Sequence, residues 1–342
     1  VCQRRRDRAP VHIEENSVKT SIIGTAVLIS FLTPAALAQG TAAGYPNKAL
    51  RMVVPFPPGG GNDILARTLG QRLSEVTGQQ VVIDNRGGAG GALGATIAAT
   101  ANPDGYTLFL GSVGNLAQTP ALKADLPYNP VRDFAPAGLV AVSSFMLAVN
   151  PSVPAKTVQE LIALAKASPG KLNYASAGAG SSLHMAAELF KYATATDMLH
   201  VPYKGAGPAM TDLVTGRVQL IFSTMPPVLP QVKSGKLRAI AVTTAKRAAA
   251  APDVPTIAES GVKGFNVSNW QGVLAPAKTA PALVKKLNQD IIASLKLPGM
   301  TEALAVQGLE PAGGTPEEFG ALIKSEIEKY TQVVKAAKIT VD

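Results

Sequence analysis

The chain has one cysteine, Cys2, and three histidines in 342 residues. A single cysteine excludes an intrachain disulfide and a cysteine-built metal site. It also lacks the preceding apolar run that a lipoprotein anchor needs. Only His184 and His200 lie in the body of the chain, and "HMAAE" at His184 has no second histidine. Zinc or a His–Asp pair would have to be assembled from remote residues. There is no Gly-x-Ser-x-Gly elbow. No Gly-Lys-Ser/Thr occurs: Gly170 precedes Lys171, but Leu172 follows. The dinucleotide spacing also fails, since Gly88/Gly90 lead to Leu93, Gly178/Gly180 to Leu183 and Gly205/Gly207 to Met210. Aromatics are 5% and no basic block exists, which argues against nucleic acid. The apolar run Ser21–Leu32 is too short for a bilayer, which needs about 20 residues.

That run does have a role. Lys19 precedes it and "ALA" (Ala36–Ala38) closes it, the pattern of a secretory signal peptide. Residues 1–38 are read as leader and signal peptide, with cleavage after Ala38 and export from the cytoplasm. Translation is expected to start at Val18. Five Lys/Arg and three Asp/Glu lie in residues 1–38, which leaves 27 positive against 20 negative charges, a net +7. A scattered excess of that size favours small anions. The length suggests two domains.

The apolar pattern predicts an α/β fold. "ALRMVVPF" reads as a strand and "DILARTLGQRLSEVTG" as a helix, with Leu65, Leu69, Leu73 and Val76 on one face and Gly78 as C-cap. "QVVIDN", a glycine loop with a helix, and "YTLFLGS" complete a strand–helix–strand–helix–strand unit with parallel crossovers. "FAPAGLVAVSSFMLAVNPSVP" breaks the alternation as one long extended stretch. Strands and helices then alternate until a second extended stretch, "GFNVSNWQGVLAP", and a helical tail. Two crossings predict two α/β lobes, each a mainly parallel sheet flanked by helices, with a hinge and a cleft between them. Residues 45–143 plus 267–342 form lobe 1, and 144–266 form lobe 2.

Three strand–loop–helix junctions share one design: "PFPPGGGND" (Pro55–Asp63), "SAGAGSS" (Ser176–Ser182) and "YKGAGP" (Tyr203–Pro208). Ligands of open parallel sheets sit beyond the carboxyl ends of strands, where helix N-termini offer unpaired N–H groups. Asn62, Asp63, Ser181 and Ser182 are N-cap types, and Pro208 suits the first helical position. The three loops should face the cleft and hold a small carboxylate or other oxyanion.

Other residues carry two readings. Asp63 complements its helix dipole or accepts from a ligand's ammonium or hydroxyl group. His184, in the first turn of a cleft-facing helix, contacts ligand or is structural, and His200 is read as structural. Trp270 packs at the hinge or walls the cleft. Lys204 balances an anion or sits on the surface.

These segments also resemble a family. "YPNKALRMVVPFPPGGGNDILAR", "VVIDNRGGAGGALGA", "NPDGYTLFLGS", "LPYNPVRDFAP", "VPYKGAGPAMTDLVTGRVQLIF" and "DVPTIAESGVKGFNVSNWQGVLAP" are similar, in order, to the Bug family, the TctC-like periplasmic receptors of tripartite tricarboxylate transporters. The resemblance implies a two-lobed periplasmic-binding-protein fold of the Venus-flytrap kind, type II-like, without catalysis or cofactor. It implies a monomer that binds a dicarboxylate, tricarboxylate or aromatic acid and serves membrane permease subunits. It carries Phe56, Pro57, Gly59, Gly60, Asn62 and Asp63 over as one wall of the pocket. Ser176, Gly178, Gly180, Ser181, Ser182, His184, Tyr203, Lys204 and Gly205 form the other, with Ser112 and Ser223 as neighbours. The chain departs at Gln219 and Ser223, where many relatives carry aspartate, and at Gly87, where proline is usual. Losing a carboxylate at Ser223 leaves a ligand's ammonium to Asp63 or to nothing, so a non-zwitterionic carboxylate is expected. The alternatives are a ligand-loaded sensor that docks on a membrane kinase, and a secreted α/β enzyme.

Overall fold

The computed structural model describes residues 42 and 44–339; the signal-peptide reading and the cleavage point after Ala38 fall outside them. The first strand, β1 (Leu50–Val54), pairs in parallel with β2 (Val81–Asn85) and β3 (Thr107–Ser112). The connecting helices are α1 (Gly61–Thr77) and α2 (Ala92–Ala99). Leu65, Leu69 and Leu73 of α1 are fully buried against Leu50, Met52 and Val54 of β1. Each such side chain contributes about 1.5–3 kcal/mol on burial. Gly78 ends α1 at φ +69, a left-handed cap that favours glycine. After β3 comes a buried π-helical turn, Gly114–Gln118, and the short α3 (Thr119–Leu122).

The long extended stretch is β4 (Phe134–Val149). At about 3.3 Å per residue it is roughly 50 Å long. From Phe134 to Ser144 it pairs with β9 (Ser268–Pro276), and from Phe145 onward with β7 (Leu220–Thr224). One strand therefore serves two half-sheets. The second half holds α4 (Val158–Ala167), β5 (Asn173–Ser176), α5 (Ser182–Thr194), β6 (Leu199–Pro202), α6 (Ala206–Val214), β7, α7 (Met225–Lys233) and β8 (Arg238–Val242). The tail returns to the first half with α8 (Pro281–Leu295), α9 (Met300–Val306), β10 (Glu310–Pro311) and α10 (Pro316–Ala337). The strand order is β2-β1-β3-β9-β4-β7-β5-β6, with β8 and β10 also on β4.

The βαβ strands are parallel, as their crossovers require. The crossing strands are antiparallel to their partners, so each half-sheet is mixed. A strand that leaves one lobe and a strand that returns must run in opposite directions. Thr243 joins them: its hydroxyl donates to the Val267 carbonyl at 2.6 Å and accepts from the Phe145 N–H at 2.9 Å. Trp270 lies beside this crossing on β9. It packs edge-to-face on Phe319 of α10, and its indole N–H donates to Glu326 at 3.3 Å, so it does not wall the cleft. A Thr315–Glu318 capping box starts α10.

Candidate ligand-binding site

The first jaw is the β1–α1 loop. Gly59 takes φ +85, and Gly60 is the N-cap of α1 without any side-chain cap. The N–H groups of Gly61, Asn62 and Asp63 therefore have no intrahelical partner. Asn62 is buried beside the Leu110 carbonyl at the end of β3. Phe56 is buried with its ring against Gly91.

Asp63 does not offer its carboxylate outward. Oδ2 accepts from the Gly59 N–H at 2.9 Å and from Arg67 Nε at 3.1 Å. Oδ1 accepts from Asn85 Nδ2 at 3.1 Å and pairs with the other arm of Arg67 at 2.9 Å. Burial pushes this carboxyl up, but the bonds from Arg67, Gly59 and Asn85 outweigh it and hold it below the usual carboxylate range. It is an anionic brace that fixes the loop.

Ser112 ends β3, where its N–H donates to Asn115 Oδ1 at 3.0 Å and its hydroxyl accepts from Asn115 Nδ2 at 3.4 Å. The second jaw starts at Ser176, whose Oγ accepts from the Gly178 N–H at 3.1 Å and bonds His200 Nε2 at 2.6 Å. Gly178 and Gly180 take φ +118 and +80. Ser181 caps α5 by accepting from the His184 N–H, which leaves the N–H groups of Ser182 and Leu183. Gly205 is the uncapped N-cap of α6. That helix starts at Ala206, so Pro208 occupies its third position rather than its first.

Tyr203 stays on the second jaw through its backbone, whose N–H donates to the Ser176 carbonyl at 3.1 Å. The Tyr203 hydroxyl donates to Asp212 at 2.8 Å, and Lys204 is exposed. Ser223 is buried with its hydroxyl donated to the Thr224 carbonyl. Gln219 lies at the far end of β7, where its Oε1 accepts from the Asn173 N–H at 2.9 Å. The departure at that position falls outside the cleft. Gly87 packs closely on the first jaw: a Cβ there would lie 2.6 Å from Pro57 Cδ.

His184 is placed differently from the cleft-facing expectation. Its ring turns back, with Nδ1 accepting from the Gly180 N–H at 3.3 Å, and stacks on His200 at 4.2 Å. The pair borders a cavity of about 570 Å³ shared with Glu188, Lys191 and the end of α10 at Ala337–Ile339. A residue in the first helical turn can face either the strand ends or the neighbouring strand; the stack with Tyr174 and His200 decides it.

The two jaws touch. The Thr119 hydroxyl donates to the Gly180 carbonyl at 2.8 Å. A Cβ on Gly90 would come 2.5 Å from the Ala179 carbonyl, and one on Gly205 2.7 Å from Pro57 Cδ. A Cβ on Gly61 would overlap the Thr224 hydroxyl, which is buried without a partner. At α7, Pro226 and Pro227 have no N–H, so that helix start offers little to an anion. Asn115, Thr119, Thr224 and the Gly88–Gly91 loop lie where the jaws meet or beside Ser112, and the sequence reading did not single them out. Position after the end of β3 pointed to Asn115. Thr224 and Gly90 carry no local signal, because only the opposite jaw gives them a role.

A two-lobed α/β receptor fold with helix N-termini meeting across a cleft is a solute-binding architecture. The family model described as tripartite tricarboxylate transporter family receptor matches residues 65–339, and the chain belongs to that family. It is 38% identical over 312 residues to protein BugT of Bordetella pertussis, covering 91% of this chain and 96% of that one. Among solved structures, a periplasmic transporter shares 46% identity at TM-score 0.85, covering 87% of this chain and 100% of its own. Rpa4515 of R. palustris, solved with adipate, shares 38% identity at TM-score 0.84, covering 86% and 99%. The family is one of receptors, and the solved periplasmic binding protein BugD shares 35% identity at TM-score 0.84, covering 86% of this chain and 99% of its own.

Proposed function

We propose that this protein is a periplasmic receptor that closes two lobes on a small carboxylate without an ammonium group and presents it, as a monomer, to a tripartite transporter's membrane permease. Residues 45–143 plus 267–342 form one lobe and 144–266 the other, with Thr243 at the crossing. The N-termini of α1, α5 and α6 supply N–H donors and the positive ends of their dipoles. Phe56, Asn62, Ser112, Asn115, Ser182 and Thr224 complete the pocket. Bridging both lobes makes ligand favour the closed form. The observation that carries the reading is the state of Asp63. It is the only acid among the proposed pocket residues, and both of its oxygens are already used. An ammonium group would enter the pocket without a counter-charge. Adipate in Rpa4515, a dicarboxylate without nitrogen, supports this class.

The test is thermal unfolding of protein refolded to strip bound ligand, against dicarboxylates, tricarboxylates, aromatic acids and acidic amino acids. Ligand at about 100 times its Kd adds about 2.7 kcal/mol and raises the midpoint by a few degrees. A shift with a nitrogen-free acid is expected; no shift from any carboxylate contradicts the reading.

A further inference from the structure

The second jaw is held by imidazoles. Gly180 donates its N–H to His184 Nδ1, which needs a lone pair there and hence a neutral ring. His200 bonds Ser176 Oγ, and that oxygen accepts the Gly178 N–H. Two routes thus run from the histidine pair to the glycines of the loop, one direct to Gly180 and one through Ser176 to Gly178. The same loop carries the Gly180 carbonyl that meets Thr119 and the Ala179 carbonyl that meets Gly90 across the cleft.

We propose that His184 and His200 are positioning residues for the lobe 2 jaw, and that a proton entering the pair withdraws the acceptor from Gly180 and releases the ligand. The proposal rests on the receptor reading above and adds its control by acid. The groups around the rings offer an imidazolium little support. From α5, Glu188 is engaged by Lys191 at 2.8 Å and by the Tyr174 hydroxyl of β5 at 2.5 Å. Lys191 itself and Lys338 at the end of α10 add positive charge to the same cavity. The rings stack closely, so a charge on one opposes a charge on the other. Burial pushes His184 down. Burial, then the neighbouring His184, pushes His200 down to about 4. Both rings are neutral at neutral pH, and the jaw is set.

His184→Asn separates positioning from structure. Its Oδ1 stands where Nδ1 stood, accepts from Gly180 and does not titrate. Adipate and succinate serve as probes, titrated calorimetrically at neutral pH and at about pH 4.5. At neutral pH His184→Asn is expected within about threefold of wild type, and His184→Leu about tenfold weaker. On acidification wild type should lose about tenfold more affinity than His184→Asn, a ratio that cancels protonation of the probe itself. Matching pH profiles for wild type and His184→Asn, or full affinity in a folded His184→Leu, overturn the proposal.

The Gly180 amide shift in ligand-free protein gives a second readout by NMR. It should move with the His184 ring titration in wild type and stay flat in His184→Asn. A Gly180 amide indifferent to that titration also overturns the proposal, whichever solute binds. Failure of wild type to bind any carboxylate instead removes the receptor reading, and the release step with it.

Discussion

The two jaws have one backbone plan and opposite braces. In lobe 1 the Gly59 N–H is fixed by the anionic Asp63, itself tied to Arg67 and Asn85. In lobe 2 the Gly178 and Gly180 N–H groups are fixed by a serine hydroxyl and an imidazole, with His200 behind the serine. A braced carboxylate with a lowered pKa stays charged well into acid. An imidazole with a lowered pKa stays neutral only until acid reaches it. The same loop geometry therefore has two pH tolerances, and the lobe 2 jaw is the first to fail.

The largest expected effect breaks closure itself. Gly61 is not among the left-handed glycines, so Gly61→Ala suits its helix and should leave the unfolding midpoint unchanged or higher. Its new methyl would meet Thr224 of the other jaw. Affinity for a dicarboxylate should fall about 100-fold, roughly 2.8 kcal/mol at 1.4 kcal/mol per tenfold. The partner substitution Gly207→Ala, whose Cβ would lie 3.1 Å from the Pro58 carbonyl, should cost far less in the same titration.

Removing the lobe 1 brace comes next. Asp63→Ala leaves the Gly59 N–H, Asn85 and Arg67 without their shared acceptor and should cost about 2 kcal/mol in urea unfolding. The cost is held down by Arg67, which is more than half exposed and can turn to water. In lobe 2, Ser181→Ala removes the α5 cap for about 1 kcal/mol.

The smallest effect is a drift with pH. A histidine whose folded pKa lies below its unfolded value binds more protons when unfolded, so stability falls as pH drops below about 6.5. For His200 that fall ends near its folded pKa of about 4. Asp63, lowered in the folded state, keeps its contribution above the unfolded carboxylate pKa of about 3.9 and loses it only below. Between those limits the midpoint of wild type should drift down by about a degree or two more than that of His200→Leu. Parallel midpoints would place the titration elsewhere.

Much of this was legible in sequence. Leu65, Leu69 and Leu73 at helical spacing located α1 and its buried face, and Gly78 its end. The two extended stretches marked β4 and β9 because both interrupt the strand–helix alternation. The glycine junctions marked the loops that open α1, α5 and α6. Other features were not local. Asn85 reaches Asp63 from another strand, and His200 reaches His184 from β6. The π-helical turn after β3 and the short α9 have no periodic signature. Tertiary packing decides which way a first-turn side chain points, which is why His184 turned from the cleft to the back of the loop.

The central claim is a cleft that takes a carboxylate and has no place for an ammonium. Isothermal titration of refolded protein with adipate and with 2-aminoadipate, matched except for one amino group, tests it most directly. The account predicts binding of the nitrogen-free acid and at least about tenfold weaker binding of its amino counterpart, a gap of about 1.4 kcal/mol. Tighter binding of the amino acid would contradict it, since Asp63 would then have to leave Gly59 and Arg67 to receive the ligand.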